Sequence, residues 1–155
     1  MTAQAATDRR MVIERQQIVA TARGWIGTPY LHQASLRGVG CDCLGLVRGV
    51  WRQVCGDEPE QVPAYSPGWA EAGRRELLIE AAGRNLEPVD LTVIGAGDVL
   101  LFRWRPHLPA KHIAIAVGDE RMVHAQQGAA VCEVKISSWW RRHLAAAFSF
   151  PGVQD

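Results

Sequence analysis

The segment GVGCDCLGLVRGVW, residues 38–51, decides how the rest of the sequence is interpreted. The apolar residues that follow the second cysteine recur at intervals of three and four, which predicts a helix from Cys43 to Val54. Asp42 suits the N-cap of that helix, and this places Cys43 in its first turn. Gly45 and Gly49 lie four residues apart, so we expect a bare helix face that another element can approach closely.

Cys43 is a candidate nucleophile because of this predicted position. A thiol in the first turn of a helix meets the positive end of the helix dipole and unpaired amide donors, and both favour the thiolate. The same amides can stabilise an oxyanion on an attacked carbonyl group. Many cysteines at helix starts are merely packed, so the catalytic interpretation depends on a partner base.

Two histidines could supply that base. His112 opens the predicted strand HIAIAV, and His124 lies in the returning segment RMVHAQ. If residues 118–120 form the turn of a hairpin, the two strands are adjacent and their histidines come close together. One imidazole could then accept the thiol proton while the other holds its ring in the required tautomer. The remaining histidines are assigned no catalytic role: His32, His107 and His143.

A zinc site is the alternative interpretation of the same residues. Cys41, Cys43, His112 and His124 would supply four nitrogen and sulfur ligands. The spacing C-x-C is tighter than is usual in zinc fingers, and residues two apart in a helix or turn tend to point away from each other. We therefore predict no metal, with Cys41 as a packed residue or a redox partner of Cys43.

The order of predicted elements indicates an α+β fold. Helices are expected at 11–25, 43–54 and from Ser66-Pro67 to about Gly83, and strands at 98–104, 112–117, 121–126, 130–136 and 146–150, with a short helix at 139–144. Helices thus come first and an antiparallel meander follows, which predicts N-terminal helices packed on a central antiparallel sheet of about five strands.

Composition narrows the class of protein. The 155 residues, 48% hydrophobic and 21% charged, suit a single domain spanning 1–155 with a flexible tail at 1–10. The net charge of +1 offers no broad cationic field for nucleic acid. No segment is long enough to insert in a membrane, and no signal-peptide core is visible, so synthesis in the cytoplasm is expected.

Five short motifs, in order, resemble those of the NlpC-type cell-wall cysteine peptidases of the papain-like superfamily. They are Thr28-Pro29-Tyr30, Asp42-Cys43-Leu44-Gly45, Gly97-Asp98-Val99, Lys111-His112-Ile113-Ala114-Ile115 and Val123-His124-Ala125. The resemblance covers residues 12–150 and implies a papain-like NlpC-type fold. It is strongest to the branch encoded among tail genes of phages and gene transfer agents, through segments 28–51, 62–69 and 138–151.

The resemblance implies a role for each matching residue. Cys43 would be the nucleophile, His112 the general base and His124 the orienting residue. Tyr30 would line the substrate site near the oxyanion, and Asp42 would help to hold the amino group of the substrate. Leu44 stands where the family has a serine, so any substrate contact made by that hydroxyl is absent here.

The implied activity is hydrolysis of an amide bond in the peptidoglycan stem peptide, typically between γ-D-glutamyl and a diamino acid, with no cofactor. A virion-like tail, with its baseplate proteins as partners, would carry the enzyme to the cell wall and would remove the need for a signal peptide. Two other interpretations remain open: a structural tail adaptor without activity, and an acyltransferase on the same fold.

Overall fold

The computed structural model describes residues 12–66 and 75–154, and within these ranges it has four helices and ten strands. The helices are α1 (Arg15–Arg23), α2 (Cys43–Val54), α3 (Leu77–Asn85) and α4 (Ser138–His143). The strands are β1 (Ile13–Glu14), β2 (Ser35–Leu36), β3 (Gly40–Cys41), β4 (Glu87–Val89), β5 (Val99–Phe102), β6 (His112–Gly118), β7 (Arg121–His124), β8 (Cys132–Lys135), β9 (Leu144–Ser149) and β10 (Val153–Gln154).

The central sheet has six strands in the order β4-β9-β5-β6-β7-β8, and every neighbouring pair is antiparallel. The predicted α+β class is therefore confirmed. The sheet has one strand more than expected, because β4 lies between about Gly83 and residue 98, where the sequence pattern predicts no helix or strand. It contains Pro88 and sits at the sheet edge, where a missing backbone donor is tolerated.

The two faces of the sheet bury different sets of side chains. In β6, Ile113 and Ile115 face the side where α1 and α2 pack, and they join the larger buried cluster. Ala114 and Ala116 face the other side, where Trp140 of α4 packs on a smaller buried cluster. This alternation follows from the two-residue period of a strand, and it explains why β6 is buried from His112 to Val117 on both faces.

The predicted start of α2 is confirmed. Asp42 is the N-cap in extended backbone conformation, and its Oδ1 accepts a hydrogen bond of 2.7 Å from the Gly45 N–H group. The bare face is confirmed as well. A Cβ atom built on Gly45 would lie 1.8 Å from the carbonyl oxygen of Ala34, and one on Gly49 would lie 2.0 Å from the Trp25 indole.

Within the described ranges, the helix predicted from Ser66-Pro67 to about Gly83 corresponds to α3, which begins later than the sequence pattern suggests. Residues 75 and 76 are not helical, and α3 starts at Leu77. The predicted opening at Ser66-Pro67 falls largely on residues 67–74, which lie outside the described residues. Glu76 ties the start of α3 to the sheet, because its carboxylate accepts hydrogen bonds from Arg103 and from the Ala110 N–H group.

No helix in the described ranges is long and apolar enough to cross a membrane.

Candidate active site

A cavity of about 270 Å³ opens where the start of α2 meets the start of β6. It brings together all of the predicted catalytic and substrate-binding residues except His124, which lies behind His112. The complete lining combines residues of α2, α3 and β6 with residues of the neighbouring loops: Tyr30, His32, Asp42, Cys43, Leu44, Tyr65, Leu78, Trp104, Lys111, His112, Ala125, Gln126 and Gln127.

The two predicted histidines form a direct pair. His112 Nε2 lies 2.9 Å from His124 Nδ1, and both residues are buried, at 4% and 2% exposure. The pairing of Ala116 with Met122 in the β6–β7 hairpin puts both histidines on the same sheet face, two positions apart along β6. Because Nε2 of His112 is used in this bond, its Nδ1 is the ring nitrogen that remains to serve Cys43.

Burial keeps both imidazoles uncharged. Desolvation, followed by the neighbouring His124, lowers the pKa of His112 to about 3. Desolvation also lowers the pKa of His124. The pair is therefore neutral at physiological pH, and a neutral His112 can accept a proton from a thiol.

Cys43 lies in the first turn of α2, partly buried, with its Sγ atom 3.9 Å from the carbonyl oxygen of Lys111. Its pKa does not follow the expectation from helix position. Burial and the charge of Asp42 raise the pKa to about 12, and they outweigh the lowering by the amides of Ile113, Leu44 and Cys43 itself. The resting residue is thus a thiol, and a base within the site would be needed to convert it to a thiolate.

Asp42 is a buried hub of hydrogen bonds at 3% exposure. Besides capping α2, it accepts a bond of 2.8 Å from the Gln33 N–H group at Oδ2, and the Tyr65 hydroxyl donates to the same oxygen. A carboxylate can accept about four hydrogen bonds. With three donors in place, Asp42 retains capacity for one donor from a bound molecule.

His32 and Tyr65 are cavity residues that sequence analysis missed. The His32 Nε2 atom lies 2.7 Å from the Tyr65 carbonyl oxygen, and the two rings meet edge to face at 5.1 Å. His32 Nδ1 lies 3.8 Å from Asp42 Oδ2. The segment VPAYSPGW was the available signal for Tyr65, but it gave no indication that the tyrosine would contact Asp42.

Leu44 lines both the cavity described above and a second, larger one. That cavity, about 400 Å³, lies between α2 and α3 and shares Leu44, Tyr65 and Leu78 with the first. The side chain that replaces the serine of the family pattern therefore borders both spaces. A serine at this position would present a hydroxyl there instead of an apolar surface.

The four proposed zinc ligands do not form a metal site. No group of three or more His, Cys, Asp or Glu side chains in the described ranges could hold a metal ion, and all four candidates lie in those ranges. Cys41 is completely buried in the core, and its thiol is unoxidised. Its position fits packing, the first of the two roles considered for it.

Residues 27–149 match the NlpC/P60 family, so the chain belongs to the NlpC/P60 family. Protein P54 of Enterococcus faecium is 29% identical over 130 residues, which are 84% of this chain and 22% of P54. The chain thus spans about a fifth of the length of this curated relative.

Solved structures share the fold. The NlpC/p60 domain of the peptidoglycan hydrolase SagA is 27% identical with a TM-score of 0.61, over 89% of this chain and 100% of that domain. A family protein from Bacillus cereus has 20% identity and a TM-score of 0.65, over 90% and 41% of the two chains. The peptidoglycan hydrolase RipB of Mycobacterium tuberculosis has 18% identity and a TM-score of 0.57, over 100% and 70%.

Proposed function

We propose that the protein is a cysteine peptidase that hydrolyses an amide bond in the stem peptide of peptidoglycan. The observation that carries this proposal is the cavity lined by both Cys43, at the start of α2, and His112, which is hydrogen-bonded to His124. Membership of the NlpC/P60 family supports it, as does the likeness to the SagA domain, which comes from a peptidoglycan hydrolase.

The first half of the reaction forms a thioester. Cys43 gives its thiol proton to Nδ1 of His112 as sulfur attacks the substrate carbonyl carbon. The carbonyl oxygen becomes an oxyanion, which the amides at the start of α2 and the Tyr30 hydroxyl would stabilise. When the C–N bond breaks, the proton on His112 moves to the leaving amine.

The second half releases the acid. A water molecule replaces the amine, His112 accepts one of its protons, and the resulting hydroxide attacks the thioester carbonyl. Collapse of this intermediate breaks the C–S bond, and the proton returns to the sulfur of Cys43. The enzyme is thereby restored, with His124 holding the ring of His112 through both halves.

The preferred bond is proposed to join γ-D-glutamyl to a diamino acid. Asp42 supports this assignment because it has capacity for one further donor and carries the negative charge that a substrate amino group requires. Leu44 sets the adjacent wall of the site and should favour an apolar part of the substrate over a hydroxyl-bearing one. We also propose that a virion-like tail delivers the protein to the cell wall and that the protein contacts tail or baseplate proteins there. The support for this is the resemblance to tail-encoded enzymes.

Digestion of purified sacculi tests the activity. Mass spectrometry of the soluble products should identify a new amine and a new carboxyl group at one stem-peptide bond. Cys43→Ser should abolish product formation, whereas Cys41→Ser should keep most of it, because Cys41 packs in the core and does not line the cavity. Loss of activity in Cys41→Ser but not in Cys43→Ser would show that the nucleophile is misassigned.

A wild-type protein that is as inert as Cys43→Ser across a broad muropeptide panel would favour the structural adaptor. Products in which the acyl group is attached to an amine or lipid would favour the acyltransferase. The delivery route has its own test, since the protein should be found by mass spectrometry in purified tail particles.

A further inference from the structure

One tryptophan, Trp140, contacts both members of the histidine pair. Its ring is stacked on that of His112, with centroids 5.5 Å apart and an angle of 28° between the planes. The same ring meets His124 edge to face, at 5.3 Å and 89°. A single side chain therefore contacts two imidazoles that come from different strands.

Trp140 is itself held firmly in place. It lies in the first turn of α4, whose N-cap Ser137 accepts a hydrogen bond from the Trp140 N–H group through its side chain. Its ring packs edge to face on Phe102 of β5, with centroids 4.9 Å apart. Phe102 in turn is opposite His112 in the sheet register. The tryptophan thus links α4 to the strand that neighbours the proposed base.

This placement has a consequence for the bond between the two imidazoles. A hydrogen bond between neutral rings is stronger and better directed where water cannot compete for its atoms. The indole of Trp140 packs on both rings on the sheet face opposite α2, and both histidines are almost fully buried. Trp104, which stacks on His112 at 5.4 Å, completes the aromatic cover toward the cavity.

We propose that Trp140 is a positioning residue that holds His112 and His124 in their hydrogen-bonded arrangement, so that the remaining nitrogen of His112 serves Cys43. The catalytic consequence rests on the proposed peptidase function. The effect on the two rings does not, because it concerns contacts within the protein itself.

The proposal predicts how the charge of His112 depends on Trp140. Burial now keeps His112 neutral. Removing the indole would admit water and reduce the penalty on the charged imidazolium, so the pKa should rise toward its ordinary value. The substitution does not replace any of the other titratable residues around the pair. These are Tyr30, His32, Asp42, Cys43, Tyr65 and Lys111 around the cavity, Cys132 opposite His124 on β8, and His143 on α4.

The experiment is an NMR titration of the histidine rings in the full chain without substrate. In the wild type, we expect His112 to remain neutral at about pH 5, whereas in Trp140→Ala its titration should move upward by about one pH unit or more. Trp140→Phe should restore most of the wild-type behaviour. Trp139→Ala is the neighbouring control, because Trp139 is 44% exposed and its rings contact His143, Trp140 and Trp104 rather than either imidazole of the pair.

The proposal is overturned if His112 stays as neutral in Trp140→Ala as in the wild type, or if Trp139→Ala shifts it equally. If Trp140→Ala does not fold, Trp140→Leu keeps the core apolar and is judged by the same criterion with a smaller shift. Where sacculi are cleaved, the acid limb of the kcat/KM profile should move to higher pH in parallel. A shifted titration in a protein that cleaves nothing would support the positioning role and reject the peptidase.

Discussion

Replacing Gly45 by alanine should destabilise the protein, although alanine is the better helix former. Gly45 lies in the first turn of α2, and a Cβ atom there would be 1.8 Å from the Ala34 carbonyl oxygen and 2.9 Å from the Ala34 carbonyl carbon. Both are backbone atoms, so no side-chain rotation can relieve the contact. Ala34 belongs to the loop that carries His32 and Gln33 against Asp42, and that loop must move.

The expected size of the effect follows from two opposing contributions. Alanine in a helix is favoured over glycine by about 1 kcal/mol. Overpacking of a tight contact costs about 1–3 kcal/mol, and a backbone clash this short belongs at or above the upper end. The net loss in the free energy of unfolding should therefore be about 2 kcal/mol, which corresponds to a fall in Tm of roughly 4–8 °C for a chain of this size.

Gly83 provides the matched control for this substitution. It lies in α3, and a Cβ atom there would meet nothing within 4 Å among the described residues. Gly83→Ala should therefore show the helix preference alone and stabilise the protein by about 0.5–1 kcal/mol. Urea unfolding at constant pH measures both variants. The reasoning is refuted if Gly45→Ala is as stable as the wild type, or if Gly83→Ala loses as much stability as Gly45→Ala.

Two further predictions concern the buried polar groups of the site. The pKa of His112 is about 3 in the folded protein and 6.5 ordinarily, so the unfolded chain binds more protons between these values. The free energy of unfolding should therefore fall as the pH drops below about 6.5. Urea unfolding at about pH 7 and pH 5 should show this fall, and His112→Gln should flatten it. Tyr65→Phe removes a donor from the buried Asp42 carboxylate and should lower the free energy of unfolding by about 1.5–3 kcal/mol. The hydroxyl of Tyr30 makes no hydrogen bond within the described ranges, so Tyr30→Phe should change that free energy by less than about 0.5 kcal/mol. Equal losses in the two variants would contradict the contribution assigned to the Tyr65–Asp42 hydrogen bond.

Local patterns were enough to predict α2 and its cap. The Asp42 side chain, the apolar period after it and the two glycines all act within a few residues of one another. The hairpin of β6 and β7 was predictable for the same reason, since an alternating apolar strand, a turn at 118–120 and a returning strand are contiguous. Its register then placed His124 near His112 without any long-range information.

Contacts between distant segments were beyond these patterns. His32 was assigned to a loop without a role, yet the close approach of Ala34 to Gly45 folds that loop over Asp42 and brings His32 into the cavity. Tyr65 reaches Asp42 across 23 residues. Strands of two residues, such as β2 and β3, carry no measurable period, so they follow from tertiary packing alone.

The uncharged state of the resting site gives His124 a definite task in the proposed reaction. Because burial keeps Cys43 as a thiol and His112 as a neutral imidazole, the transfer of a proton between them creates two charges in a region with little water. An imidazolium at His112 would donate its Nε2–H group to His124 Nδ1, and this bond strengthens when the donor becomes charged. His124 can make that contribution only as the neutral acceptor, which its own burial favours. In the proposed reaction, His124 would therefore stabilise the charge that forms during attack as well as orient the ring of His112.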